Sequence, residues 1–225
     1  MSFDFGKFII ICGHYGCGKT NFALNLAADR ASAGEKVTLV DMDIVNPYFR
    51  SSDYPEFLKE KGIELVAPTF AHTNLDLPAL PAKMYGVFES KDTVIIDVGG
   101  DDDGSTALGR FHRQLENVDF QMLYVVNRFR DINCQPETAV QLLREIELTS
   151  RIKATAVVSN AHLCGETTAQ NVVDGVAYAQ KTAEIAGLPL VAVTANRKFM
   201  PELEGKIDDL YPIDVIVKKP WETEE

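Results

Sequence analysis

The 225-residue sequence predicts an α/β fold: a doubly wound, mostly parallel sheet of about seven strands between two layers of helices, as one domain over residues 1–225. Three observations point there. Short apolar runs recur along the whole chain, and helix-length segments separate most of them. The first run, Phe8-Ile9-Ile10-Ile11-Cys12, is continuous rather than alternating, as in a strand covered on both faces. It leads through a glycine-rich loop straight into an amphipathic segment.

That segment runs from Lys19 to Ala33, carries Phe22, Ala23, Leu26 and Ala27 on one face, and stops at Gly34, a residue favoured just past a helix end. Further strands are expected at Val37 to Asp41, Ile63 to Val66, Thr93 to Asp97, Met122 to Asn127, Ala154 to Asn160 and Leu190 to Thr194. A helix beginning near Pro136 turns Val140, Leu143 and Ile146 inward. Another spans Thr167 to Ala186, with Thr167 and Gln170 as a capping box and Gly187-Leu188-Pro189 as its stop. Residues 67–81 hold three prolines and fit neither periodicity, so they are expected to form a long loop over the site. The tail from Ile213 to Trp221 alternates like a short strand before ending in acids.

A net charge of -11 argues against nonspecific nucleic-acid or anionic-membrane partners, which require clustered basic surface. No signal-like apolar stretch opens the chain, and no run approaches the roughly 18 apolar residues of a membrane span, so a soluble, cytoplasmic protein is expected. Cys12, Cys17, Cys134 and Cys164 form no C-x-x-C pair, and the histidines at 14, 72, 112 and 162 show no H-x-H or H-x-x-x-H spacing, which speaks against a zinc knuckle, a disulfide framework or a histidine metal centre. Cys17 stands apart because it lies beside a helix N-terminus, where thiol pKa values fall and oxidation becomes an option.

Residues 13–20 read Gly13-His14-Tyr15-Gly16-Cys17-Gly18-Lys19-Thr20, a complete G-x-x-x-x-G-K-[ST] phosphate-binding loop between strand and helix. A triphosphate must lie against bare backbone amides at a helix N-terminus, and glycines keep that approach open. Residues 13–21, including Asn21, are therefore the expected nucleotide contacts; Lys19 reaches the terminal phosphates and Thr20 holds Mg²⁺. A plain glycine turn is the alternative. Val94-Ile95-Ile96-Asp97-Val98-Gly99-Gly100 supplies the second half of such a site. Asp97 serves Mg²⁺, and a Gly99 or Gly100 amide senses the γ-phosphate, unless Asp97 only caps a turn. Asp101, Asp102 and Asp103 follow, as a solvated loop or a second metal site.

The second strand ends in Asp41-Met42-Asp43. A D-x-D there, together with the phosphate loop and an aspartate followed by glycines, resembles the MinD/ParA and CobQ/CobB group of P-loop NTPases, over roughly residues 7 to 200. The resemblance implies Asp43 as the residue that positions attacking water or Mg²⁺, residues 43–53 as a first switch loop, and a homodimer as the default. A turn or cap role for Asp43 and a γ-phosphate contact from Arg50 stay open. The chain departs from the group at His14, where MinD/ParA members carry a lysine that reaches a dimer partner's phosphates.

Guanine-specific P-loop proteins use N-K-x-D after a strand, whereas Asn127-Arg128-Phe129-Arg130 reads N-R-x-R, which leaves ATP as the expected nucleotide. The resemblance implies Asn160 as the adenine contact, with turn capping the alternative and Asn196 a second choice. The functions that follow are a Mg-ATP-dependent switch or accessory ATPase acting on a protein partner, or a small-molecule kinase or ligase resembling dethiobiotin synthetase, with His72 or Lys83 holding the acceptor.

Overall fold

Phe8–Cys12 (β1) is buried along its entire length, because it lies mid-sheet with helices on both faces. In a computed structural model, residues 5–43, 50–68, 83–100, 102–130 and 135–218 are described. The element order is β1, α1 (Lys19–Ser32), β2 (Val37–Met42), α2 (Pro55–Glu60), β3 (Glu64–Val66), α3 (Lys83–Gly86), β4 (Thr93–Val98), α4 (Asp102–Gly109), α5 (His112–Leu115), β5 (Phe120–Val126), α6 (Pro136–Ser150), β6 (Ala156–Ser159), α7 (Ala169–Ala186), β7 (Leu190–Asn196), α8 (Met200–Leu203) and β8 (Leu210–Ile213). The strands form one sheet in the order β3-β2-β4-β1-β5-β6-β7-β8, and every pairing is parallel.

Alternation along the strands divides the core in two. Ile9 and Ile11 of β1, Leu39 of β2 and Ile95 of β4 face α1, where Phe22 and Leu26 meet them. Phe8 and Ile10, with Val40 and Ile96, face the opposite layer with Leu108 of α4, Leu143 of α6 and Ala179 of α7. Burying a side chain such as Phe22 contributes roughly 1.5–3 kcal/mol, so these two seams supply the main driving force.

Three boundaries differ from expectation for local reasons. The cap of α7 is Thr168, paired with Asn171, rather than Thr167 with Gln170. The Thr167 hydroxyl is taken by the preceding turn, accepting from Leu163 N at 2.9 Å and donating to the Cys164 carbonyl at 2.7 Å. The last strand is Leu210–Ile213 against β7, ahead of the expected Ile213 start. From Asp214 onward the backbone turns to α1 instead: Asp214 N–H donates to Asn25 Oδ1 at 2.7 Å, and Ile216 and Val217 N–H donate to Asn21 Oδ1 at 2.8 and 3.0 Å. The backbone from Asp102 to Gly109 is a helix rather than a continued loop. Residues 44–49 of the expected switch loop, 69–81 of the long loop with His72, Asp101 and Cys134 lie outside the described residues. Among the described residues no helix is long and apolar enough to cross a membrane.

Candidate functional site

The loop between β1 and α1 closes as the glycine spacing requires. Gly13, Gly16 and Gly18 all have positive φ, at 147°, 73° and 89°. The neighbours also exclude side chains: a Cβ on Gly13 would fall 2.4 Å from the Val125 carbonyl oxygen, and one on Gly18 would fall 2.1 Å from Asn160 Nδ2. Lys19 is 7% exposed, and its ammonium folds back on the loop to donate to the His14 carbonyl at 3.2 Å. Gly100 faces this ammonium from the β4 side, where an added Cβ would lie 2.8 Å from Lys19 Nζ and 2.6 Å from Tyr15 Cα. Gly99 is wedged between Asp43 and Gly104 of α4. These contacts bring Gly99, Gly100 and Asp43 to the same edge of the sheet as residues 13–20.

At that edge two carboxylates face α1. Asp97 of β4 is in register with Asp41 of β2 and Ile11 of β1, and both aspartates are buried. Burial, reinforced by the negative charge of Asp41, pushes the Asp97 carboxyl up to about 7; the Ser51 hydroxyl, Lys19 and the Thr20 hydroxyl pull the other way. Asp41 is raised by burial too, against hydrogen bonds from Ser52 and Asp43. Ser51 Oγ donates to Asp97 Oδ2, whereas Asp97 Oδ1 is buried with no protein donor. A buried acceptor without a donor, beside a threonine hydroxyl at a helix N-terminus, fits a hard divalent cation, so Thr20 and Asp97 form a site that suits Mg²⁺. Asp41 is the residue missed from the sequence: Asp43 drew the attention in D-x-D, yet Asp41 is the one aligned with Asp97. The Asp43 N–H donates to Asp41 Oδ1 at 3.0 Å.

Other expected residues have protein partners. Asn160 is 3% exposed; its Nδ2 donates to the Cys17 carbonyl at 2.7 Å, and its Oδ1 accepts from the Thr194 hydroxyl. The Asn21 side-chain amide is taken up by the tail at residues 214, 216 and 217. Asn196 caps the short turn Arg197–Phe199, and Asn127 joins two loops through Phe129 N and both backbone groups of His162. Arg50 pairs with Asp53, and Lys83 pairs with Glu64. His14 Nδ1 lies 2.9 Å from the Tyr15 carbonyl. The low-pKa expectation for Cys17 is reversed: its thiol is 1% exposed, and burial raises it more than Lys19 lowers it.

No family model matches the chain, and no curated protein matches it. Solved structures do. FtsY from Mycoplasma mycoides superposes with a TM-score of 0.57 at 17% identity, over 85% of this chain and 62% of that one. Chloroplast FtsY from Physcomitrella patens gives 0.57 at 20% identity, over 95% and 65%. Signal recognition particle 54 kDa protein from Aeropyrum pernix K1, in complex with GDP, gives 0.55 at 15% identity, over 84% and 41%. The fold is that of the P-loop NTPases. This chain spans 41 to 65% of the length of these three proteins, and at such identities the likeness speaks for architecture alone.

Proposed function

We propose that the protein is a Mg-ATP-binding switch of the MinD/ParA and CobQ/CobB kind that hydrolyses its nucleotide slowly on its own. The observation that carries this reading is the pair of hydrogen bonds joining the segment after β2 to the two carboxylates. Ser51 Oγ donates to Asp97 Oδ2 at 2.5 Å, and Ser52 N–H donates to Asp41 Oδ2 at 3.0 Å. Thr20 and Asp97 Oδ1 would hold Mg²⁺, which supplies neutralisation of the phosphate charge when bound. With Mg²⁺ held there, Asp97 would be kept as the carboxylate, a stronger acceptor for the Ser51 hydroxyl than the protonated acid. Residues 50–53 therefore feel the state of the nucleotide site across one hydrogen bond, as a switch segment must. Lys19 and the loop amides hold the terminal phosphates, a Gly99 or Gly100 amide senses the γ-phosphate from the β4 side, and Asp43 orients the attacking water.

Adenine is favoured by the four residues that begin at Asn160. They read Asn-Ala-His-Leu and lack the carboxylate that the two adjacent donors of guanine require. A neighbouring fold in complex with GDP favours guanine instead. The kinase or ligase reading has one observation of its own, a cavity of about 260 Å³ beside the loop, lined by His14, Asn127, Arg130, Thr138 and Glu145 among others, with room for a small acceptor.

Phosphate release from Mg-ATP and Mg-GTP, with Lys19→Ala as control and binding followed by calorimetry, tests all three. The switch predicts ATP-selective turnover on the order of 10⁻⁴ to 10⁻² per second, lost in Lys19→Ala. Binding without turnover until a metabolite is added supports the kinase, and a GTP preference overturns the adenine assignment. Equal ATP binding by wild type and Lys19→Ala overturns the site itself.

A further inference from the structure

Two side chains converge on one carbonyl of the phosphate loop. Arg130 Nε donates to the Tyr15 carbonyl at 3.2 Å, and His14 Nδ1 lies 2.9 Å from the same oxygen. The Arg130 guanidinium also stacks over the Tyr15 ring, 5.4 Å from its centroid. It rests directly on Gly16, where an added Cβ would fall 2.2 Å from Nε and 2.3 Å from Cζ.

The geometry matters because a trans peptide points its carbonyl and the following N–H in opposite directions. Arg130 reaches the loop from the β5 side, whereas Gly100 and the Lys19 ammonium lie against Tyr15 from the β4 side. A Tyr15 carbonyl held toward Arg130 leaves the Gly16 N–H aimed away from it, toward the concave side where phosphates bind. Asn160 does the same two peptides further on: it holds the Cys17 carbonyl at 2.7 Å and so orients the Gly18 N–H. Gly16 itself, at φ 73°, makes this arrangement accessible without strain.

We propose that Arg130 is a positioning residue for phosphate binding, which fixes the Tyr15–Gly16 peptide so that the Gly16 amide is presented to the nucleotide. It does so within a single chain, beside the position where MinD/ParA proteins use a lysine from a partner and this chain has His14. The inference rests on the reading of residues 13–20 as a triphosphate site.

The test uses the full chain with Arg130→Ala and Arg130→Lys, measuring KM and kcat for Mg-ATP, the Kd for ADP, and thermal unfolding. Arg130 is exposed, so its loss leaves Tm nearly unchanged. Arg130→Ala is expected to raise KM and Kd about tenfold, the weight of one charge-assisted hydrogen bond, with kcat within about twofold. Arg130→Lys falls between, since an ammonium can reach the carbonyl but has no planar face to lay on Tyr15. Unchanged KM and Kd in Arg130→Ala, a loss confined to kcat, or equal losses in both variants would overturn the proposal. Lys19→Ala separates the two levels. If it abolishes nucleotide binding while Arg130→Ala is silent, only the role of Arg130 falls; if it binds like wild type, the triphosphate site falls as well.

Discussion

Asp41 and Asp97 are register partners on neighbouring parallel strands, both turned toward the first turn of α1 and both buried. Two carboxylates in that position cannot both ionise cheaply, and burial together with Asp41 lifts Asp97 to about 7. The folded protein thus holds a proton that the unfolded chain, with an ordinary carboxylate pKa, releases at much lower pH. Its contribution to stability is present in acid and is lost as pH rises toward and through 7. Asp97→Asn keeps an acceptor for Ser51 and removes the charge. Without nucleotide, this variant should unfold at a higher temperature than wild type at pH 8, and the gap should shrink toward pH 5. Calorimetric unfolding across that range checks it, and a wild-type advantage at pH 8 would refute it.

On the proposed Mg-nucleotide reading the same proton competes with the metal and must be displaced, so affinity should rise by about tenfold between pH 6 and 8, with proton uptake by the buffer measurable in calorimetry. In Asp97→Asn the pH dependence should vanish along with most of the affinity. A flat wild-type profile would place the titrating group elsewhere.

Gly100 is a position where a single methyl group should damage activity. An added Cβ would sit 2.6 Å from Tyr15 Cα and 2.8 Å from Lys19 Nζ, too close for either to stay in place. Gly100→Ala should lower turnover by more than about tenfold while costing only about 1–3 kcal/mol of stability. Steady-state kinetics beside a denaturant titration separates the two effects.

Asn160 bridges Cys17 of the loop and Thr194 of β7. Asn160→Ala leaves the Cys17 carbonyl without its donor, and should cost about 1–3 kcal/mol in chemical denaturation as well as weakening nucleotide binding. Thr194→Val removes only the outer link and should cost less. If Asn160→Ala changes the ratio of ATP to GTP affinity but not stability, the residue acts on the base and not on the loop.

Local pattern was enough where local chemistry decides. Phe8–Cys12 is a strand and Lys19 begins a helix because an unbroken apolar run, three glycines and an amphipathic repeat leave little choice. The glycine loop between them was legible for the same reason. Asp97 could be singled out as the last polar residue of an apolar strand, but its partner could not, because sequence alone did not reveal that Asp41 aligns with it. Arg130 was read only against a base-recognition motif, and its contact with Tyr15 spans 115 residues. The cap of α7 slipped by one residue because two adjacent threonines could each serve, and the turn at Leu163 and Cys164 took the hydroxyl of the first.

What the sequence determined by itself was the local backbone: glycines at 13, 16 and 18 permit the positive φ that other residues resist, and Lys19 begins the helix directly after them. What only the tertiary structure decided was how that cradle is held and charged. Parallel register set Asp41 beside Asp97, and loops from β5 and β6 brought Arg130 and Asn160 onto its carbonyls. Those are long-range facts, since hydrogen bonds and desolvation depend on distances in space that strand order, and not local propensity, creates.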